Sequence, residues 1–390
     1  MHIWMIDPAA NTPYYDAELT TALHNAGVNI ALMTSHYLYT DLPTGITQHS
    51  EYFFFKPLSR FRDYLRKFSK VRQIARLLIY PIDMLRFYWY VRRSQPDLLH
   101  IQWTFLPLLD RLLFRHISRT TPIILTVHNP MVREARFASL SDMAVYFPIA
   151  TQLLVHSQNN AKMLIDRFPQ FEDKVRIIPH GTLNYQQQIM DKASARQLLG
   201  MREDRRVILF FGLIQPYKGL MTLIEAMSQV IRAIPNAHLM IAGKSREDFT
   251  HYSHAIDEYA LGDNITTRIH FIPNDEVPLY YSAADALCLP YREASQSGIL
   301  LSAFGYGLPV VVTNVGGLPD MVEEGQNGFI VPPNDPTALA EALIDLLNDD
   351  EKRERFGQHS LHLAREKYSW DAVARQTTEL YTQVIEENKK

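Results

Sequence analysis

Residues Pro290–Pro309 read P-Y-R-E-A-S-Q-S-G-I-L-L-S-A-F-G-Y-G-L-P. Just before them, Ala286–Leu289 is a short apolar run suited to a buried strand. Ile299–Phe304 is apolar again and ends at Gly305 and Gly307, which predicts a helix with a glycine stop. The turn between them, Glu293-Ala294-Ser295-Gln296-Ser297-Gly298, is polar. A strand that feeds a helix through such a turn leaves unpaired backbone N–H groups at the helix start, where the helix dipole favours an anion. Ser295 and Ser297 are candidate caps for that end, and Gly298 admits close approach of a ligand to the backbone. Taken alone, the stretch reads as an ordinary capped helix.

The same strand–turn–helix rhythm runs outward in both directions. Val207–Phe211, the loop Gly212–Gly219 and a helix from Leu220 precede it, with further strands at His238–Ala242, Ile269–Ile272 and Val310–Thr313. Towards the N-terminus, Ile3–Ile6, the loop Pro8–Pro13, a helix over Asp16–Asn25 and a strand at Val28–Met33 make a βαβ unit. Leu98–Gln102, Ile123–His128, Gln152–His156 and Val175–His180 continue the series. In open α/β sheets ligands bind at the carboxyl ends of strands, which here carry His100-Ile101-Gln102-Trp103, His128-Asn129 and His156-Ser157. No metal-like spacing joins these histidines. The polar, irregular segment from Gly181 to about Ala193 marks a domain boundary. The expected division is residues 1–182 with 370–390, and 183–369, and the expected class is α/β with two Rossmann-like, doubly wound domains facing a cleft. The terminal helix Trp370–Glu387 presents Ala374, Leu380, Tyr381 and Val384 for packing.

At 390 residues and 47% hydrophobic content, the chain can fill two cores. A net charge of −3 gives no reason to invoke nucleic acid. The one cysteine, Cys288, lies in an apolar run; this fits a reducing, cytoplasmic setting. No basic n-region leads a long apolar stretch at the N-terminus, so no signal peptide is expected. Leu77–Val91, the longest apolar tract, is interrupted by Pro81, Asp83 and Arg86 and is not expected to span a membrane. Residues 56–93 carry eleven Lys or Arg against Asp63 and Asp83, a local +9 that leaves −12 to the rest of the chain. Phe61, Leu65, Phe68 and Val71 recur at helical spacing beside Arg62, Arg66 and Lys70, which predicts a basic amphipathic helix. That helix either packs on the core with a solvated basic face or meets an anionic membrane surface from the inner side.

Several ordered motifs resemble glycosyltransferase family 4, retaining enzymes of the two-Rossmann GT-B architecture that use nucleotide-sugar donors. They are Phe210–Gly219 (F-F-G-L-I-Q-P-Y-K-G), His238–Gly243 (H-L-M-I-A-G), Tyr281–Asp285 followed by Pro290, Gly305–Val311, Val315–Pro319 and Gly325–Gly328. Ile178–Gly181 resembles the segment entering the linker, and Tyr368-Ser369-Trp370 the start of a terminal helix that crosses back to the N-terminal domain. The resemblance is close over residues 175–385 and loose before them. It implies a metal-independent, cofactor-free hexosyl transfer to a glycan or lipid-linked acceptor in polysaccharide or glycoconjugate synthesis. In that picture Lys218 and the amides near Ser297-Gly298 neutralise the leaving diphosphate, and His128 hydrogen-bonds the transferred sugar. Gly212, Leu213, Glu293, Ser295, Gln296 and Ser302 complete the donor contacts.

The departures from the family pattern fall in the same places. Leu213 stands where many members have a basic residue. Counting back from Gly307 puts Ser302 and Ala294 where the family has its two glutamates, with Glu293 one residue off. Ala9-Ala10-Asn11-Thr12-Pro13 replaces the Gly-Gly loop expected after the first strand. A non-catalytic partner subunit and a nucleotide-sugar epimerase on the same fold are the alternatives. A phosphorylase lacks support, because nothing resembles a pyridoxal-phosphate lysine segment.

Overall fold

The computed structural model of the chain describes residues 1–36, 48–128, 143–182, 189–294 and 297–389. It forms two compact units, Met1–Gly181 with Trp370–Lys390, and Thr182–Ser369.

Unit 1 holds a parallel sheet of β1 (His2–Asp7), β2 (Asn29–Thr34), β3 (Ser50–Tyr52), β4 (Leu98–Ile101), β5 (Ile123–Thr126), β6 (Gln152–Val155) and β7 (Val175–Ile177), in the order β3-β2-β1-β4-β5-β6-β7. Its helices include α1 (Pro13–Asn25), α2 (Arg62–Lys67), α3 (Ser69–Ser94), α4 (Pro107–Ile117), α5 (Gln158–Arg167) and the C-terminal helix Trp370–Lys389. The central strands are buried along their length, as parallel strands covered on both faces must be. One face packs Trp4, Tyr80, Phe87 and Phe147, and the other packs α1 and the C-terminal helix through Tyr15, Leu19, Trp370, Tyr381 and Val384.

Unit 2 holds β8 (Arg206–Phe211), β9 (Ala237–Ala242), β10 (Ile265–Arg268), β11 (Ala286–Leu289), β12 (Val310–Thr313) and β13 (Gly328–Val331), all parallel, in the order β10-β9-β8-β11-β12-β13. Around it lie α6 (Lys192–Leu198), α7 (Leu220–Ala233), α8 (Thr250–Glu258), α9 (Val277–Ala283), α10 (Gly298–Gly305), α11 (Pro336–Asn348) and α12 (Asp350–Glu366). In both sheets the strand order reverses beside the first strand, between β1 and β4 and between β8 and β11. A crevice opens at such a switch point, at the carboxyl ends of the strands.

Two expectations are corrected. The third strand of unit 2 is Ile265–Arg268, not Ile269–Ile272: the β-branched run Ile265-Thr266-Thr267 pairs with β9, whereas Phe271 of the later run is 66% exposed. The basic segment is not one amphipathic helix. A 3-10 turn (Lys56–Phe61) leads into α2, and the chain breaks at Phe68 (φ −115°, ψ 82°) before α3. Of its apolar stripe only Leu65 is buried, while Phe61, Phe68 and Val71 stay exposed. Two of its arginines, Arg72 and Arg76, are buried as well, Arg72 donating to the Leu65 carbonyl and Arg76 lying over the Phe55 ring.

α3 is apolar on two faces. Tyr80, Met84, Phe87 and Val91 enter the core, whereas Ile74 (59% exposed), Leu78 (71%), Ile82 (62%), Leu85 (51%) and Trp89 (69%) form a row along the outside. At 100° per residue that row spans about 80° of the helix circumference, a single stripe. Exposed Lys67, Lys70, Arg86, Arg92 and Arg93 accompany it. Among the described residues no helix is long and apolar enough to cross a membrane.

Candidate active site

At the switch point of unit 2, β8 runs into the loop Gly212–Gly219 and β11 into Pro290-Tyr291. Two glycines let these loops close. A methyl group at Gly219 (φ 67°) would lie 1.9 Å from the Pro290 carbonyl oxygen, and one at Gly212 (φ 97°) 2.6 Å from Ile299 Cδ1 and 3.3 Å from Lys218 Nζ. The backbone N–H of Arg292 donates to the Tyr217 carbonyl at 2.6 Å and ties the loops together from the other side.

This closure buries Lys218. Its side chain is 5% exposed, and its ammonium lies 5.2 Å over the Tyr291 ring. Among the described residues it has no carboxylate partner, and burial lowers its pKa to about 8. Beside it α10 begins, with Ser297 as its cap: the hydroxyl oxygen accepts from the Leu300 N–H. The first N–H groups of the helix, at Gly298 and Ile299, have no partner within it. A buried cation and a helix N-terminus thus converge on Gly212 and Ile299.

The other expected donor residues stand as follows. Leu213 follows Gly212 and is 37% exposed. Glu293 is exposed, and Ala294 beside it is buried. Ser295 and Gln296 lie outside the described residues. Ser302 is buried on α10, its hydroxyl donating to the Gly298 carbonyl at 3.0 Å. That proton is committed, so a ligand hydroxyl there could only donate to Oγ. Ser302→Ala is therefore expected to weaken nucleotide binding by less than about tenfold, because one neutral hydrogen bond is worth about 1 kcal/mol; titration calorimetry reads the difference. Tyr291, which carries Lys218 on its ring, had no sequence signal beyond its place after Pro290.

Asp285 belongs to the motif before the site but does not enter it. Its carboxylate accepts from Arg196 Nη2 and the Val207 N–H, each at 2.6 Å, and from Lys192 Nζ at 2.9 Å. It joins α6 to the start of β8.

In unit 1, the ends of β4, β5 and β6 bring His100, His128 and His156 side by side. His128 Nδ1 is 3.3 Å from His156 Nε2, and its Nε2 is 2.8 Å from the Gln102 amide. Trp103 stacks on its face, with centroids 5.0 Å apart and planes 5° apart, and Tyr15 meets its edge. Burial, then His156, His180 and His100, holds the His128 pKa well below the usual histidine range. Both its ring nitrogens have protein partners, so a sugar hydroxyl reaches one only by displacing Gln102 or His156. The loop that lacks the Gly-Gly pair is shaped otherwise: Ala10 takes φ 52°, and the Asp7 carboxylate accepts from the N–H groups of Asn11 and Thr12. Among the described residues no three His, Cys, Asp or Glu side chains are grouped to hold a metal ion.

Two family models match this chain, one over each half: Glycosyltransferase Family 4 over residues 17–182, and Glycosyl transferases group 1 over residues 191–362. The chain belongs to glycosyltransferase family 4. A D-inositol 3-phosphate glycosyltransferase of Corynebacterium efficiens is 32% identical over 246 residues, or 60% of this chain and 57% of that protein. The match therefore spans little more than half the length of that relative. Among solved structures, sucrose-phosphate synthase of Thermosynechococcus elongatus has a TM-score of 0.70 at 21% identity, covering 99% of this chain and 100% of its own. Anabaena HepE, solved with UDP, has a TM-score of 0.71 at 17% identity, covering 98% and 100%. These two likenesses establish the two-Rossmann GT-B fold of this family 4 chain.

Proposed function

We propose that this family 4 protein transfers a sugar, of hexose type, from a nucleotide-sugar donor to a glycan or lipid-linked acceptor, with retention of anomeric configuration. Lys218 is the observation that carries this reading. A buried ammonium without a counter-charge is costly, and placing it at a helix N-terminus on a strand-order switch point suits a ligand of multiple negative charge. A nucleoside diphosphate is such a ligand. As the glycosidic bond breaks, negative charge grows on its terminal phosphate, where a preorganised cation and amides stabilise it without reorganisation. We assign Lys218 and the Gly298 and Ile299 amides that task, with no metal ion required, and give His128 a contact to the transferred sugar. The UDP and UDP-glucose complexes of Anabaena HepE make UDP the first probe.

Calorimetric titration with UDP, followed by product analysis with UDP-sugars in chelator, tests the reading. Binding followed by sugar transfer supports it. No binding of any nucleoside diphosphate at millimolar concentration overturns it. The missing glutamates and Leu213 favour one rival, a non-catalytic partner subunit, for which binding occurs without transfer.

We further propose that the enzyme works at an anionic membrane surface on the cytoplasmic side. The outer row of α3 offers the apolar contact and its flanking lysines and arginines the charge. α4, packed beside α3, adds exposed Leu108 (77%) and Leu112 (60%) with Arg111 and Arg115. Each basic residue near such a surface is worth about 1 kcal/mol, screened by salt. Sedimentation with anionic vesicles is expected to fall as salt rises, and Leu78→Glu with Ile82→Glu is expected to abolish it. Equal binding to neutral vesicles, or a concentration-dependent dimer lost in the same variant, overturns the membrane assignment.

A further inference from the structure

Tyr381, His100, Gln102, His128 and His156 form one hydrogen-bonded chain in unit 1, and that chain allows a proton count. It ends on a group whose role is fixed: His156 Nδ1 is 3.0 Å from the Ile178 carbonyl oxygen, which only accepts. His156 therefore carries its proton on Nδ1. Its Nε2, when the ring is neutral, accepts from His128, and burial with His180 nearby lowers the His156 pKa to about 3. His128 thus needs a proton on Nδ1.

The other side follows from the first. A neutral His128 protonated on Nδ1 has a bare Nε2, so the Gln102 group 2.8 Å away must donate. The two ends of an amide are told apart only by their partners. With its NH2 towards His128, Gln102 turns its oxygen towards His100 Nε2, at the position now 3.2 Å from that nitrogen. His100 Nε2 then carries the proton, shared with the Thr126 hydroxyl oxygen at 2.7 Å, and His100 Nδ1 accepts from the Tyr381 hydroxyl at 2.6 Å. Each ring N–H then meets an acceptor, each bare ring nitrogen meets a donor, and no ring is charged. The opposite orientation of the amide requires an imidazolium at His128. Among the described residues its ring and hydrogen-bond partners are Tyr15, Gln102, Trp103 and His156, none a carboxylate that would support that charge.

We propose that His156 is a positioning residue that holds His128 in the tautomer protonated on Nδ1, leaving Nε2 a hydrogen-bond acceptor. Gln102 occupies that acceptor in the free protein, and a hydroxyl that replaces it must arrive as a donor. For the sugar, this rests on the transferase reading above; the tautomer itself does not. The side chain that sets it, His156, lies one strand away from His128.

Nitrogen-15 NMR of histidine-labelled protein decides the matter. Free wild-type protein is expected to show His128 protonated on Nδ1 and not on Nε2. His156→Leu removes the acceptor, and the proton is expected to move to Nε2, towards the Gln102 oxygen. Gln102→Leu is expected to leave it on Nδ1. A wild-type Nε2–H, or a His156→Leu protein that keeps Nδ1–H, overturns the assignment. Should His156→Leu fail to fold, the wild-type and Gln102→Leu spectra decide alone. In the transferase reading, His156→Leu also lowers kcat/KM for the nucleotide-sugar by roughly fivefold, since a lost hydrogen bond is worth about 1 kcal/mol, while UDP affinity is kept. Failure of transfer with the expected spectra refutes the transferase reading and leaves the tautomer standing.

Discussion

Lys218→Met is expected to weaken UDP binding by roughly ten- to a hundredfold, since a hydrogen bond to a charged group contributes ~1.5–3 kcal/mol. Uridine, which lacks the phosphates, is expected to bind both proteins alike. The same substitution is expected to stabilise the empty protein. Burial lowers the Lys218 pKa from the ordinary lysine value of 10.5 to about 8, so the unfolded chain binds more protons between those two values. Stability therefore rises with pH across that window, and below pH 8 the buried charge costs on the order of 3 kcal/mol at about 1.4 kcal/mol per unit. In the proposed reading, a bound diphosphate supplies the counter-charge. Wild-type affinity for UDP is then highest below pH 8 and declines above it, and the Lys218→Met protein lacks this step. Calorimetry across that range, with thermal unfolding of the empty proteins, measures both. A flat pH profile in wild type would separate Lys218 from the phosphate.

Asp285→Ala is expected to cost about 3–5 kcal/mol, as removal of one partner from a buried ion pair does. Arg196, 6% exposed, would lose its only carboxylate partner among the described residues, and the Val207 N–H would lose its acceptor at the first turn into β8. β8 leads directly to Gly212 and Lys218, so the loss is expected to reach the phosphate site as lower UDP affinity near the unfolding midpoint. Asp285→Asn retains an acceptor for Val207 and is expected to cost less than Asp285→Ala. Denaturant unfolding followed by fluorescence provides the comparison. A cost below about 1 kcal/mol for Asp285→Ala would mean that the network holds nothing together.

The sequence by itself determined two parallel sheets and most of their strands, all but β3, β10 and β13. It could do so because strands buried on both faces read as short apolar runs, and turns at strand ends read as glycine and polar residues. The polar turn after β11 marked Ser297 and Gly298 as a helix start for the same reason, whereas Lys218 was singled out only through the resemblance of Phe210–Gly219 to the family's loop. Periodicity failed at Phe68, where an apolar spacing continues through a helix break; no proline or glycine marks the break, and only the site over which Leu65 packs decides it. Along α3 it gave no reading of which face is exposed, because Ile74, Leu78 and Ile82 read identically whether core or solvent faces them. Tertiary structure alone decided which strand ends lie side by side, since an apolar pattern states that a strand is buried and not which neighbour it pairs with. The order β1-β4-β5-β6 brings Gln102, His128 and His156 into one hydrogen-bonded chain. The neighbouring of β8 and β11 lays Lys218 over Tyr291, far along the sequence, and so turns a common Lys-Gly turn into a buried cation with no carboxylate partner among the described residues.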